Sequence, residues 1–529
     1  MNNFRVDKKV YKLPKPGKQD PRDYTTIKNM VKELEVARAE GKYSRQSQSI
    51  ASNIPKEAYK IVSNFVKSKN LKLYGGTALN IYLPQKHKIY KKSTLPDYDF
   101  FSPDPWNDAV ELADLLYKAG FKYTETKAGI HKGTFKVFAN FWPIADITYL
   151  PQDLYDQITT KKKNGYTIVS PAYLQMTMYN MISKPIESPV RWPNVSFRQK
   201  LLEQWAAPKY RKKQCADDFI GEKERPELEP ELEKALQVVH REVRKAKLIH
   251  YGALAFNKYI ALGGGELRIP VYFYELLTED AGKYAKEFEK QIKKITMNEL
   301  INDVVYLPYK DMNKLSYILY MVIDENMYPV FSITELTRCI PYKYFGGRYY
   351  CSIDYLFYEL YNQMFNEDTD LHSFDVSCLI RYLYYIQQRY YSTKNISELD
   401  KSPFQRFVIK CRGPYYDTIR EEFYSRWVNR AEKQTLTTDI LPQKDTIRIT
   451  GVKGRKIRVY PRDLIEPEEC RGLEENECGY PCNWVTDLNK CSGIPFTGYQ
   501  PGQPTPVKIV QQAIVNLNPK KSKQISQDK

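Results

Sequence analysis

The chain has 529 residues, 42% of them hydrophobic, with 81 Lys and Arg against 63 Asp and Glu and a formal net charge of +18. That length exceeds what one core holds, so two to four domains are expected; no run of 18 apolar residues occurs, which excludes a chain threaded through a bilayer by helices. The basic surplus points to a polyanionic partner, nucleic acid ahead of an acidic membrane face, against the plainer reading of a solubilising surface.

The opening residues MNNFRVDKKVYKLPKPGKQD lack the apolar core of a signal peptide, so an intracellular, reducing setting is expected, with disulfides not the default. Residues 1–48 read as a loose basic arm. Behind Pro55, the apolar positions Ala58, Ile61, Val62, Phe65 and Val66 recur at helical spacing. LKLYGG then predicts a strand ending in a glycine turn at Gly75 and Gly76, and ALNIYL a helix. TLPDYDFF reads as a short alternating strand, Asn107 to Ala119 as an amphipathic helix closed by Gly120, and FKVFANFW and IADITYL as two further strands. Helices are expected to dominate to about Trp205, completing a catalytic region over 49–215. Residues 216–244 are acidic and proline-punctuated, a linker or exposed helix start. A second mixed region spans 245–440, a basic hairpin with a cysteine cluster 441–495, and a polar tail 496–529.

Three features in order carry chemistry: Gly75-Gly76-Thr77, then Asp97 and Asp99, then Asp146 within Ile144-Ala145-Asp146-Ile147. In a strand, residues two apart share a face, so Asp97 and Asp99 point the same way. Unpaired carboxylates that close repel, and a divalent cation removes the penalty. Asp146 supplies a third ligand if its strand lies alongside. Three carboxylates holding two Mg²⁺ or Mn²⁺ ions suit in-line nucleotidyl transfer. The glycines admit close approach of phosphate, and the following helix offers its N–H groups to a triphosphate, with the Thr77 hydroxyl beside them. Lys132, Lys136, Arg198 and Lys200 are candidate triphosphate contacts, each weighed against an ordinary surface cation.

A glycine pair, a DxD strand and a distal Asp together resemble the signature of the nucleotidyltransferase superfamily over residues 74–149. The wider chain resembles the poly(A) polymerase catalytic subunits of large cytoplasmic DNA viruses, with Thr77 where many members have Ser. The resemblance implies an α/β (α+β) fold, a two-metal site at Asp97, Asp99 and Asp146, ATP as donor and an RNA 3′ end as acceptor. It also implies residence in the virion and infected-cell cytoplasm. A homodimer or a processivity partner is the expected source of a long RNA grip. The alternatives are a transferase with a small-molecule or other nucleotide acceptor, and an RNA-binding processivity subunit with a vestigial site.

A faded second copy is expected. Tyr74-Gly75-x-x-Ala78-x-Asn80-x-Tyr82 matches Tyr251-Gly252-x-x-Ala255-x-Asn257-x-Tyr259, and Ser170-x-x-Tyr173-Leu174 matches Ser352-x-x-Tyr355-Leu356. Pro96-x-Tyr98-x-Phe100 aligns with Pro270-x-Tyr272-x-Tyr274, which sets Val271 and Phe273 opposite Asp97 and Asp99 and leaves a degenerate nucleotidyltransferase-like domain without ligands. Near the C-terminus, residues 447–460 alternate around a glycine-containing turn. Lys453, Arg455, Lys456 and Arg458 there are candidate RNA phosphate contacts, or else charges guarding an edge strand. Cys470, Cys478, Cys482 and Cys491 follow with C-x7-C-x3-C-x8-C spacing, read as a zinc site or as two disulfides. The remaining five cysteines are expected to be scattered and buried.

Overall fold

The structure, a computed structural model, describes residues 56–90, 98–121, 124–129, 133–140, 142–185, 191–205, 230–296, 300–309, 312–323, 325–365 and 376–413, together with Asn29 and short pieces between 447 and 493. The basic arm, the polar tail, Asp97, Lys132, Lys453, Arg455, Cys215 and Cys470 lie outside the described residues.

In chain order the elements are α1 (Lys56–Ser68), β1 (Lys72–Tyr74), α2 (Gly75–Tyr82), β2 (Tyr98–Ser102), α3 (Pro105–Lys118), β3 (Thr124–Ala128), β4 (Thr134–Ala139), β5 (Trp142–Tyr149), α4 (Gln152–Gln157), β6 (Thr160–Lys163), β7 (Tyr166–Val169), α5 (Pro171–Ile182) and α6 (Trp192–Trp205). There follow α7 (Pro230–Ala246), β8 (Ile249–His250), α8 (Gly252–Leu262), β9 (Tyr274–Thr278), α9 (Ala281–Lys293), β10 (Leu300–Tyr309), β11 (Met312–Ile323), β12 (Asn326–Glu335), β13 (Ile340–Phe345), β14 (Arg348–Cys351), α10 (Ile353–Gln363), α11 (Val376–Lys394) and β15 (Cys411–Arg412). The last strands are β16 (Ile447–Thr450), β17 (Lys456–Val459), β18 (Cys482–Val485) and β19 (Lys490–Gly493).

The described residues divide into two compact units. The smaller takes 46–73, 92–150 and 435–529; the larger takes 1–45, 74–91 and 151–434. The stretch expected as a catalytic domain, 49–215, contributes to both.

In the smaller unit the strands run β3-β4-β5-β2-β1, with β5 antiparallel to β4 and parallel to β2. Helix α1 buries the stripe the spacing predicts, Ala58, Val62, Phe65 and Val66, and Phe65 lies 6.4 Å from Phe100. Helix α3 starts where Asp104 accepts from the Asn107 amide and Pro105 takes the first turn. Lys69 pairs with Asp108 at 2.6 Å and so ties the end of α1 to α3.

The larger unit contains the β6–β7 hairpin, α2, α5, α6 and a mixed sheet in the order β10-β11-β12-β9-β8-β14-β13-β15. Helices dominate the stretch to Trp205 as expected, with this one short hairpin among them, in which Lys161, Lys162 and Lys163 belong to β6. Residues from Pro230 to Ala246 form a continuous helix, with Leu232, Ala235, Leu236, Val239 and Val243 buried.

The second sheet repeats the first element by element. β8-α8-β9-α9-β10-β11-β12 follows the order of β1-α2-β2-α3-β3-β4-β5, and in both runs the last strand is parallel to the second. The caps coincide: Tyr74 at φ −133 and ψ −164 with Tyr251 at φ −133 and ψ −166, Asp104 with Asp280, Ser170 with Ser352. The shared polar residues act mechanically. Asn80 Oδ1 accepts from the amides of Ile89 and Tyr90, and Asn257 Oδ1 from that of Ile269, so each pins the loop after its helix. Tyr82 donates to the Val169 carbonyl at 2.9 Å and Tyr259 to the Cys351 carbonyl at 2.8 Å, each fixing the helix to the end of a strand.

Disulfides among the described residues differ from the expectation that they are not the default. Cys339–Cys411 joins residues on either side of the run from β13 to α11, and Cys478–Cys491 closes part of the C-terminal cluster. Cys351 is buried and free.

Candidate active site

Strand register brings the two described acids together. Asp99 on β2 stands opposite Asp146 on β5, and Asp146 opposite Lys136 on β4. Neighbouring strands are about 4.8 Å apart, so the three side chains form a row on one face. The flanking Phe100 and Ile147 turn to the other face and are fully buried, which fixes the direction of the row. Asp99 is half-buried, and the Asp146 and Lys136 side chains keep 28% and 32% exposure, enough for a solute to reach them.

Lys136 Nζ donates to both Asp146 oxygens, at 2.7 and 2.5 Å. The carboxylate pair thus already carries one cation. Hard, half-exposed oxygens on adjacent strands, one of them already drawing an ammonium, are a donor set that suits a divalent ion. Among the described residues no group of three or more His, Cys, Asp or Glu converges, and Asp97, two residues before Asp99, lies outside them.

The glycine turn belongs to the larger unit. Gly75 has φ +69, which β-carbon-bearing residues resist, and α2 begins there with its N-cap residue, Tyr74, making no side-chain cap. A Cβ on Gly76 would overlap Tyr90 Oη and lie 3.5 Å from Arg198 Nη1. Asn80 holds Tyr90 in that position through the Tyr90 amide. Arg198 Nε is buried and has no hydrogen-bond partner. Thr77 is buried, 7% exposed, at the start of the helix. A helix N-terminus, missing β-carbons and the unpaired Arg198 Nε suit an anion.

Lys200 is engaged elsewhere. Its ammonium pairs with Glu398 at 2.8 Å, and Arg406 reaches the same carboxylate at 3.3 Å and Asp354 at 2.7 Å. Ser196 also donates to Glu398. This buried cluster locks α6 to the residues after α11. Beneath it, burial pushes the Glu203 carboxyl up to about 7, with Tyr384 donating to it at 2.9 Å.

The second copy resolves its own glycine turn differently. The Asp104 and Asp280 caps align β2 with β9, so Glu275, not Phe273, occupies the place of Asp99. Register then sets Ser332 opposite Glu275 and Ile318 opposite Ser332, where the first copy has Asp146 and Lys136. Gly252 has φ +61, and a Cβ there would collide with the Glu275 carboxylate. Glu275 Oε2 accepts from the Ala253 amide at 2.8 Å. A carboxylate of the chain itself thus fills this helix N-terminus. The expected alignment thus moves by two residues, and the position of Asp99 keeps an acid in the second copy.

At the C-terminus β16 and β17 pair antiparallel, as the alternation of 447–460 predicts, with Arg448 opposite Arg458 and Thr450 opposite Lys456. Cys478 and Cys491 are bonded to each other, which removes two thiolates from the zinc reading and agrees with the disulfide reading for that pair. Cys482 sits on β18.

Comparison with known proteins meets the same region. Residues 60–188 match the family described as Poly(A) polymerase catalytic subunit. A protein of African swine fever virus (isolate Pig/Kenya/KEN-50/1950), provisionally named as such a subunit, is 36% identical over 149 residues, 28% of this chain and 31% of that one. The chain therefore spans under a third of the length of that relative. A similarly named protein of Acanthamoeba polyphaga mimivirus is 22% identical over 484 residues, covering 79% of each chain. The crystal structure of the Megavirus polyadenylate synthase superposes with a TM-score of 0.62 at 22% identity, over 87% of this chain and 96% of that one, so the fold is shared along nearly the whole length. Residues 60–188, which hold Gly75, Asp99 and Asp146, are thus similar to the poly(A) polymerase catalytic subunit family.

Proposed function

We propose that this protein is a template-independent poly(A) polymerase, transferring AMP from ATP to the 3′-hydroxyl of RNA. The observation that carries the reading is the pairing of Asp99 with Asp146 on adjacent parallel strands, with Lys136 beside them. Asp99 and Asp146, with Asp97, would hold divalent ions, Mg²⁺ or Mn²⁺. When bound, such ions lower the pKa of the attacking hydroxyl and neutralise the departing pyrophosphate.

The protein's own groups do the rest. The α2 amides and Arg198 bind the triphosphate at Gly75 and Gly76, and Thr77 adds a hydroxyl. Asp146, released from Lys136, accepts the 3′-hydroxyl proton. Lys136, with its carboxylate partner engaged elsewhere, is left to pair with phosphate oxygens. Lys132 is a further cation for the same role. Lys200 is a less suitable one, because Glu398 already holds it.

RNA as acceptor is supported by the net charge of +18, which favours a polyanion over a small neutral molecule. The basic hairpin residues Lys453, Arg455, Lys456 and Arg458 extend the RNA path. By the same reading the substrate is viral mRNA, met in the virion and the infected-cell cytoplasm. Self-association or a partner subunit supplies the grip needed for long tails. No helix among the described residues is long and apolar enough to cross a membrane.

The test is primer extension. The protein is incubated with an oligo(A) primer, Mg²⁺ or Mn²⁺, and each nucleoside triphosphate in turn. A ladder with ATP is expected, and Asp99→Asn should abolish it while primer binding persists. Absence of extension with every nucleotide and both metals would overturn the reading. Extension that survives Asp99→Asn would overturn the site.

A further inference from the structure

The β13–β14 hairpin carries an aromatic and basic face that the proposed chemistry does not use. The strands meet at Gly346 and Gly347, both at positive φ, which gives the tight right-twisted turn. Register puts Tyr344 opposite Tyr349, and Tyr342 lies two residues from Tyr344 on the same face. The Tyr349 ring centroid is 5.5 Å from that of Tyr342 and 5.0 Å from that of Tyr344. The opposite face is ordinary core: Tyr350 is buried, and Phe345 meets Tyr259 edge to face at 5.9 Å. Tyr344, at 59% exposure, is the most exposed large hydrophobic side chain among the described residues. A tyrosine ladder left in water beside a well-formed core calls for an occupant.

Charge identifies the occupant. Arg412, on the adjoining β15, places its guanidinium 5.4 Å from the Tyr342 ring and 4.9 Å from the Tyr349 ring, and Lys410 Nζ lies 5.3 Å over Tyr342. At the turn, Arg244 and Lys258 approach within 3.4 and 3.8 Å of where a Cβ on Gly347 and Gly346 would stand. Arg348 stands opposite Phe345 and so belongs to the other face, where it contacts His240. Glu279, which accepts from the Gly413 amide, is the nearby acid. Flat rings bordered by Arg412 and Lys410 match a strand of stacked bases with a phosphate backbone.

We propose that this hairpin face binds single-stranded RNA, with a base stacked on Tyr344 and its phosphates near Lys410 and Arg412. The inference rests on the polymerase reading and gives the second copy a role in holding the RNA.

The test uses the full-length protein and a fluorescein-labelled oligo(A) of about 15 nucleotides, followed by anisotropy at fixed low salt without ATP. Tyr344→Ala is expected to bind about tenfold more weakly, in line with the loss of one stacked base. Tyr344→Phe, which keeps the ring, should stay within about twofold. Lys410→Ala should lower the slope of affinity against salt by about 0.7, the value for one phosphate contact on a single strand. The rate of AMP addition at saturating primer should be unchanged in all three. If Tyr344→Ala melts like the wild type and binds RNA equally well, the surface is wrong and the polymerase assignment stands. If the wild type binds RNA through Tyr344 but never extends it, the surface stands and the polymerase assignment falls. If the wild type does not bind the oligonucleotide, the surface is overturned whatever the extension assay shows.

Discussion

The two copies keep the same skeleton and part company at three positions. Tyr74 and Tyr251, Gly75 and Gly252, Asn80 and Asn257, Tyr82 and Tyr259 cap, bend, pin and tether in the same way. Asp99, Asp146 and Lys136 in one copy are Glu275, Ser332 and Ile318 in the other. Residues that hold the helix to the sheet survive in both copies, and residues with an electrostatic cost survive in one. Two carboxylates side by side destabilise a fold unless a cation is drawn to them. The second copy removes that conflict by keeping one acid and turning it onto the helix amides.

The largest expected effect breaks the comparison at its acids. Asp146→Asn should lower primer extension by more than about a hundredfold, since a neutral amide holds a divalent ion poorly. Glu275→Gln should leave extension within about twofold. Equal losses would mean that the second copy is not silent.

Next is the turn itself. Gly252→Ala forces a β-carbon into the Glu275 carboxylate at positive φ, and should cost about 2–4 kcal/mol in urea unfolding. Full stability would mean that Glu275 does not occupy the helix terminus. Pairing it with Glu275→Ala, which vacates the space, should recover part of the loss.

Lys200→Met sharpens the distinction between cradle and scaffold. Glu398 keeps Arg406 but loses its second cation, a cost of about 1–2 kcal/mol. KM for ATP should not move; a tenfold rise would return Lys200 to the nucleotide site.

The smallest effect depends on pH. Leu73 stands in β1 where β8 has the buried His250, whose pKa is pushed down to about 3 by burial and then by Arg348. The folded pKa lies below the ordinary value of 6.5, so the folded state prefers the neutral ring. Its contribution is complete above about pH 6.5 and fades as pH falls toward 3. The melting temperature of the wild type should therefore drop between pH 6.5 and 4 more steeply than that of His250→Leu. Parallel curves would show that His250 is not the group that titrates.

The active half is legible in the sequence because its elements obey simple periods. Helix α1 shows a 3.6-residue stripe, and β5 sets Asp146 between the buried Ala145 and Ile147 of the opposite face. Strand β3, TETKA, and strand β6, TKKK, carry too few apolar residues to announce themselves, and their partners make them strands. The misaligned acid has a definite cause. The second copy has one residue fewer between its capping tyrosine and its second strand, and a chance Pro-x-Tyr pattern in a chain with 44 tyrosines hid the shift. The proximity of Arg198 to Gly76 has no local signal, because it arises from the packing of α2 against α6. The tyrosine face of β13–β14 was hidden in the same way: Tyr342, Tyr344 and Tyr349 meet only once the hairpin pairs.

The Cys339–Cys411 bridge spans 72 positions and contains β13, β14, α10 and α11 whole. A protease that nicks the backbone within that covalent ring leaves two fragments still fastened together. They would migrate as one band on an oxidised gel and separate after dithiothreitol, so intact mobility alone would not report an uncut polypeptide.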